Sequence, residues 1–218
     1  VIPDTYNGLP VTAIDSMAFY SCYYITKVEI PDSVTSIGSS AFEKCEDLTE
    51  IVIPDSVTEI GFEAFKDCIG LTRIVFSESI TEIGTRVFWG WTGLTTIVIP
   101  KGVTKIEYQS FTDCPDLTSI VVDDGNKVYD SRKNCNAIIE SSTNTLILGC
   151  SSTVIPESVS VIGDKAFKQG FFYSPVDYNY AEKKGLFFDD AYIPDNIIRI
   201  GDFAFMNCGS NYKFDLYL

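Results

Sequence analysis

The sequence predicts a strand-dominated α/β solenoid in which coils of about 23 residues stack into a right-handed superhelix. The first observation is that residues 28–119 repeat one pattern four times. The second is that apolar residues return in fixed columns: Ile37, Ile60, Ile83 and Ile106; Phe42, Phe65, Phe88 and Phe111; Leu48, Leu71, Leu94 and Leu117. One coil cannot bury its apolar side alone, so the repeats must stack on their neighbours.

A strand opens each coil. Residues 48–54 read Leu-Thr-Glu-Ile-Val-Ile-Pro, and the apolar alternation near their end predicts Ile51 and Ile53 inward and Glu50 and Val52 outward. Proline ends such a strand. Stacked coils would place these strands in one long parallel sheet, and parallel crossovers are right-handed almost without exception.

The rest of each coil is predicted to form a bend or short second strand, followed by one or two helical turns. Residues 57–61 suit a short second strand or bend, with Gly61 at a tight corner. In the next segment Ala64, Phe65 and Cys68 lie at i, i+1 and i+4, which is the spacing of one or two helical turns with an inward face. The predicted coil therefore has a parallel sheet on one face and short helical turns on the other.

The repeated words L-T-x-I-x-I-P-x-x-V-T-x-I-G-x-x-A-F-x-x-C resemble the leucine-rich repeats of the BspA-like surface proteins, which are known mainly from gut and oral bacteria and some mucosal protozoa. The resemblance covers most of the chain. It implies a right-handed leucine-rich-repeat solenoid, a bacterial protein that is extracellular or on the cell surface, and adhesion to a host extracellular protein or glycan without enzymatic activity.

The predicted organisation is a single leucine-rich-repeat solenoid over residues 1–218. Its parts are regular coils at 1–119, an extended hairpin-containing unit at 120–153, a coil at 154–170, an aromatic insertion at 171–192 and a C-terminal coil at 193–218. Because the chain opens at Val1 in the middle of a repeat, we expect a piece of a longer precursor whose export signal and anchor lie outside it.

Charge and composition argue against several function classes. The 218 residues carry 16 basic and 30 acidic side chains, for a net charge of -14, which disfavours binding to nucleic acid or to anionic membranes. The sequence contains no histidine, no nucleophile motif and no closely spaced cysteines, so no enzyme, cofactor or metal is predicted. Asp123, Asp124 and Asp130, or Asp189 and Asp190, are weak calcium candidates without EF-hand spacing.

One outward column of the predicted sheet is the first candidate for a partner-binding surface. It contains Glu29, Val52, Val75, Val98 and Val121, and a mixed column beside it contains Lys27, Glu50, Arg73, Thr96 and Ser119. Valine is simply a favoured strand residue, which is one interpretation. The other is a contact surface for a protein or glycan, because exposed apolar patches on soluble proteins tend to be used.

The third full copy departs from the repeat. Phe76 and Ser77 replace Ile-Pro, and Trp91 stands where a cysteine is due. Trp91 is interpreted as a core replacement that locally swells the coil. Trp89 falls at an exposed-looking position, one repeat after Lys66, and is either drift or a hot spot for a sugar or protein.

The cysteines divide into a column and a pair. The column is predicted to hold free buried thiols, because adjacent coils do not turn their side chains toward one another: Cys22, Cys45, Cys68, Cys114 and Cys208. Cys135 and Cys150 flank a predicted hairpin around residues 141–144. In an antiparallel hairpin the numbers of directly paired residues have a constant sum. If that sum is 285 here, Cys135 and Cys150 face each other, and a disulfide or close thiol pair is one alternative there.

Two functions from different classes follow. The chain is either an interaction module that binds a host extracellular protein, or a structural spacer or glycan-binding segment of a larger cell-envelope protein. The aromatic insertion at 171–192 is either a loop packed over one edge or a recognition loop.

Overall fold

The structure is a computed structural model that describes residues 2–107, 109–168 and 193–206. Over these residues the chain forms a strand-dominated solenoid of about five coils, with almost no helix. The aromatic insertion at 171–192, Cys208 and the Asp189–Asp190 pair all lie outside the described residues.

Sixteen short strands and one 3-10 helix make up the described elements. In chain order the strands are β1 Thr5–Tyr6, β2 Leu9–Pro10, β3 Ala13–Ile14, β4 Lys27–Glu29, β5 Ser36–Ile37, β6 Glu50–Val52, β7 Glu59–Ile60, β8 Glu82–Ile83, β9 Thr96–Ile99, β10 Lys105–Ile106, β11 Ser119–Val122, β12 Tyr129–Asp130, β13 Ala137–Glu140, β14 Thr145–Gly149, β15 Val161–Ile162 and β16 Arg199–Ile200. The 3-10 helix is Arg132–Asn134.

The regular coils stack in parallel with a register of one repeat. Strand β4 pairs with β6, and β9 with β11, which places Glu29 beside Val52 and Val98 beside Val121. The short second strands form their own ladders, β3-β5-β7 and β8-β10. The predicted parallel sheet is therefore confirmed, and each coil contributes a second strand as well.

The predicted helical turns are wrong, because the side of each coil opposite the sheet consists of linked β-turns. The Cys45 amide bonds the Phe42 carbonyl within one turn, whereas the Phe42 amide bonds the Ala64 carbonyl of the next coil at 2.8 Å. A helix would use both amides internally, so the hydrogen bonds between coils exclude it. Lys44, third in its turn, has φ +61°, as a type II turn requires.

The phenylalanine column forms the centre of the core. Neighbouring rings stack nearly parallel, at 5.1 Å between Phe19 and Phe42 and 5.3 Å between Phe42 and Phe65. The centroid distance between Phe65 and Phe88 is wider, at 6.1 Å. The fully buried Trp91 packs edge-on against both of these phenylalanine rings. Trp91 is thus a core residue, as predicted.

The cysteine column consists of free thiols, as predicted for its described members. Each buried thiol donates to the backbone carbonyl of the phenylalanine 26 residues earlier, for example Cys68 Sγ to Phe42 O at 3.0 Å. Trp91 takes the same role, because its indole N–H donates to the Phe65 carbonyl. Burial raises the pKa of the Cys45 thiol to about 11, so this column is poorly reactive.

The predicted hairpin is present, but it does not pair Cys135 with Cys150. Glu140 opposes Thr145 as expected, whereas beyond a bulge Ile138 opposes Leu148, so the sum of opposed residue numbers rises by one. A one-residue shift reverses the side on which the following residues point. Both cysteines are free, and the Cys150 thiol lies 3.4 Å from the Asn136 carbonyl.

The hairpin separates two buried clusters. The first extends along the regular coils from Ile14 and includes Cys150. The second includes Cys135 and continues through Phe167 to Ala204. Strand β14 then pairs in parallel with β15, and β15 with β16, so parallel stacking resumes after the hairpin.

Candidate interaction face

The column of outward valines is exposed, as the alternation of the strands predicts. The exposed fractions are 51% for Val52, 40% for Val75, 48% for Val98 and 43% for Val121. Bridges and ladder pairs join Val52 to Val75 and Val98 to Val121, and Glu29 continues the column beside Val52. We call these four valines the valine stripe. It is an apolar strip across four consecutive coils of the sheet.

Polar columns border the valine stripe. The mixed column is in register across the sheet, with Lys27 opposite Glu50 and Arg73 opposite Thr96. At the start of the strands a threonine column is exposed, and its hydroxyls donate along the solenoid, as Thr49 Oγ1 does to Thr26 O at 3.1 Å. The stripe therefore has the composition of many interfaces, with an apolar centre and a polar rim.

A groove of about 580 Å³ opens on this face beside the second and third valine-bearing coils, those of Val75 and Val98. Its volume lies in the range of ligand pockets. The residues that give it character are Arg73, Val75, Glu78, Thr96, Val98 and Asp123. The groove thus includes two members of the valine stripe together with ionisable side chains of both signs.

The groove lies where the third full copy departs from the repeat. Phe76 is buried and packs edge-on against Phe88, with ring centroids 5.5 Å apart. The neighbouring strand segment is reduced to isolated bridges at Arg73 and Val75, and the Ile53 amide reaches the Val75 carbonyl at 3.4 Å. The coil in which Phe-Ser replaces Ile-Pro therefore has the weakest ladder hydrogen bonding of the face.

Trp89 is not the exposed side chain that the sequence suggested. It is half-buried on the turn side, and the Arg86 guanidinium lies 4.3 Å from its ring centroid. The Lys66 ammonium lies 5.5 Å from the same centroid, and the indole N–H donates to Asp113. Two cations therefore lie close to the indole ring, and the valine stripe lies on a different side of the coil.

An ionic ladder that was not predicted from the sequence surrounds Trp89. The buried carboxylates of Glu43 and Glu63 accept hydrogen bonds from Lys66 at 3.1 and 3.4 Å, and Arg86 reaches Glu63 at 3.4 Å. Partial burial opposes the charge on Lys66, but these two carboxylates raise its pKa. The signal was available, because Glu43 and Lys66, like Glu63 and Arg86, are opposite charges one repeat apart.

The acidic loop after β11 is hydrogen-bonded both within itself and to the preceding coil. Asp123 Oδ1 accepts from the Gly125 amide at 2.7 Å, and the Asn126 side chain donates to the carbonyls of Pro100 and Val103. Asp130 is held by Arg132. Within residues 2–107, 109–168 and 193–206, no group of three or more His, Cys, Asp or Glu side chains is arranged to hold a metal ion.

Comparison with known protein families matches the chain to the family described as "BspA type Leucine rich repeat region". Six copies of the repeat match, over residues 12–139 and 179–217. No curated protein sequence matches. Within the described part of the chain, no helix has the length and apolar character needed to cross a membrane.

Several solved structures share the fold. A leucine-rich cell surface protein from Faecalibacterium prausnitzii A2-165 is 25% identical over 95% of this chain and 66% of its own, with a TM-score of 0.63. A T. pallidum leucine-rich repeat protein is 26% identical over 92% of this chain and 67% of its own, with a TM-score of 0.56. The pneumococcal vaccine antigen PcpA is 19% identical over 94% of this chain and 56% of its own, with a TM-score of 0.64, and shows likeness of fold alone. The chain thus spans between about half and two thirds of these proteins' lengths.

Proposed function

The chain belongs to the BspA-type leucine-rich repeat family, and from that premise we propose that it is a non-enzymatic binding module of a secreted or cell-surface protein. Its partner is a protein or glycan outside the cell, of the kind that a host supplies. The sheet face that carries the valine stripe makes the contact.

The observation that carries this proposal is the exposure of four in-register valines. Each is at least 40% exposed, although residues of this type are usually buried. A contiguous apolar patch with a polar border supports a role in protein contact. The flanking residues Lys27, Glu50 and Arg73 then provide the charges that orient a partner.

A location outside the cell is supported by one of the similar proteins. The F. prausnitzii structure is described as a leucine-rich cell surface protein. The acidic composition and the absence of histidine agree with a role in contact more than in catalysis. Adhesion to host components is our proposal for this chain.

The second candidate function is a structural spacer or a glycan-binding segment of a larger cell-envelope protein. The repetition of the valine column favours the spacer, because the same residue returns at one outward position in four successive coils. In that case the valines are present for their strand propensity, and binding would reside in other parts of the parent protein.

A binding screen separates the two candidates. The purified chain is screened against arrays of host matrix proteins, plasma proteins and glycans, beside the double variant Val52→Thr, Val98→Thr. Val154→Thr is the matched control, because Val154 is 73% exposed and lies outside the valine stripe. The interaction module predicts a hit that the double variant loses and the control keeps. Absence of any hit, or a hit that both variants retain, would contradict binding through this face.

A further inference from the structure

Arg73 is an unpaired cation at the groove. It is exposed, lines the groove beside Val75, and forms no ion pair with any described residue. Other basic side chains near the sheet are neutralised, as Lys27 is by Glu29 at 3.3 Å and Lys101 by Glu78 at 3.2 Å. On an acidic chain of net charge -14, a lone guanidinium beside an apolar surface provides a specific position for a carboxylate.

The opposite end of the groove carries the complementary sign. Asp123 is exposed, and within the described residues its carboxylate makes no ion pair. One of its oxygens accepts the Gly125 amide at 2.7 Å, which fixes the side chain. Glu78 at the same end is already compensated by Lys101. The groove therefore carries opposite charges at its two ends, positive at Arg73 and negative at Asp123. The apolar side chains of Val75 and Val98 lie between them.

We propose that this groove binds an extended peptide segment of the partner protein. The segment places a carboxylate against Arg73, an aliphatic side chain on Val75 and Val98, and a basic side chain toward Asp123. Arg73 and Asp123 lie two coils and four positions apart, which corresponds to about 16 Å, or about five extended residues. This inference rests on the proposed function and names the chemistry of its partner.

The shape of the face agrees with an extended peptide. Val75 and Val98 offer a shallow apolar floor, and exposed threonines such as Thr72 and Thr95 border it with hydroxyl groups. A groove of about 580 Å³ accommodates a few side chains of an extended segment. The single guanidinium does not suit a polyanion, which needs several clustered cations.

The test is selection of random twelve-residue peptides displayed on phage, carried out in parallel on the chain, on Arg73→Glu and on Lys133→Glu. Lys133 is an exposed cation outside the groove, so its replacement makes the same change in net charge. Circular dichroism of all three proteins confirms equal folding. On the chain and on Lys133→Glu, we expect enrichment of peptides with an acidic residue, an aliphatic residue and a basic residue within about five positions.

On Arg73→Glu, the acidic position is expected to be replaced by a basic one, and peptides selected on the chain should bind about five- to tenfold more weakly. Enrichment that ignores the charge at position 73, or no enrichment at all, would overturn the inference. The proposed function is judged separately. A host protein that binds the chain and Arg73→Glu equally, yet is lost by the Val52→Thr, Val98→Thr variant, would leave the binding face standing while the groove assignment fails.

Discussion

The regular coils and the hairpin that follows them obey different rules of register. Between residues 28 and 122 the parallel ladders join residues one repeat apart, as between Val28 and Ile51 and between Ile97 and Ile120. In the hairpin, a bulge shifts the pairing by one residue between Ile138 and Ile139. A repeated sequence therefore fixes its contacts over long distances, whereas a hairpin depends on a local detail that no repeat enforces.

The largest expected effect tests the regular coils. Phe65 is fully buried between two stacked rings, so Phe65→Ala should lower the free energy of unfolding by about 3 to 5 kcal/mol. Urea unfolding measures the loss. Hydrogen exchange on the same variant shows whether residues 137–149 in the hairpin lose protection together with the coils. A loss below about 1 kcal/mol would contradict the central place of the phenylalanine column.

The next effect tests the contact of the hairpin with the second cluster. A Cβ added at Gly149 would lie 2.2 Å from a ring atom of Phe167. Gly149→Ala should therefore cost about 1 to 3 kcal/mol through overpacking. Gly125→Ala is the control, because the nearest atom that its Cβ would meet is an Asp123 carboxylate oxygen at 3.0 Å and not a buried ring atom at 2.2 Å. Equal midpoints of urea unfolding for the two variants would argue against this packing.

A third prediction tests the hydrogen bonds that the cysteine column and Trp91 donate to backbone carbonyls. Trp91→Phe keeps an aromatic ring but removes the N–H that bonds the Phe65 carbonyl, which then keeps only the longer bond from the Cys68 amide at 3.4 Å, and the smaller ring leaves a gap in the core. We expect a loss of about 1 to 3 kcal/mol in thermal or urea unfolding. Cys114→Ala is the comparison, since it removes a weaker thiol donor at the equivalent position. Stability equal to that of the parent chain would show that the indole hydrogen bond contributes nothing.

The fourth prediction concerns the pH dependence of the hairpin. Partial burial opposes ionisation of Asp130, but hydrogen bonds from Arg132 and Ser141 lower its pKa below the usual value. A carboxyl whose pKa is lower in the folded chain stabilises the fold above its unfolded pKa of about 4, and this contribution is lost as the pH falls through the folded pKa. Asp130→Asn should therefore reduce the fall in stability between pH 6 and pH 3.

Urea midpoints at the two pH values measure that change. Asp47→Asn serves as its control, because Asp47 is exposed and lies in the regular coils. If both variants keep the pH dependence of the parent chain, Asp130 does not contribute as the ion pair with Arg132 indicates.

The smallest expected effect tests the assignment of faces. The double variant Val52→Thr, Val98→Thr should change the free energy of unfolding by no more than about 0.5 kcal/mol, because both side chains are solvated and threonine is also a good strand residue. Urea unfolding provides the measurement. Unfolding of the double variant under native conditions would contradict the exposure of the stripe.

The sequence predicted the features that follow from period alone. The valine stripe follows from the two-residue alternation of a strand, and the burial of Trp91 follows from its place in the cysteine column. The prediction of helical turns on the side opposite the sheet was wrong, because inward residues at i, i+1 and i+4 suit a helical turn and a pair of β-turns equally well. The left-handed residues that distinguish them, such as Lys44 and Glu63, are not glycines and carry no marker in the sequence.

The errors at Cys135, Cys150 and Trp89 have a common cause, which is that each depends on how strands or coils pair with one another. The hairpin was predicted, but the bulge that separates Cys135 from Cys150 has no signature in residues 141–144. Trp89 was predicted to be exposed because the residues of its own coil alone leave the indole uncovered. Its cations come from its own turn and from the preceding coil, at Arg86 and Lys66, and only the pairing of coils brings them together.

Whether the valine stripe is the binding face is tested by the affinity of Val98→Glu for the host component found in the screen. Val98 is 48% exposed, so the new carboxylate remains solvated and the fold is retained. Val154→Glu, at a site 73% exposed, makes the same change of charge away from the face. We expect Val98→Glu to bind at least about tenfold more weakly, while Val154→Glu binds like the parent chain. Equal affinities for both variants would contradict it.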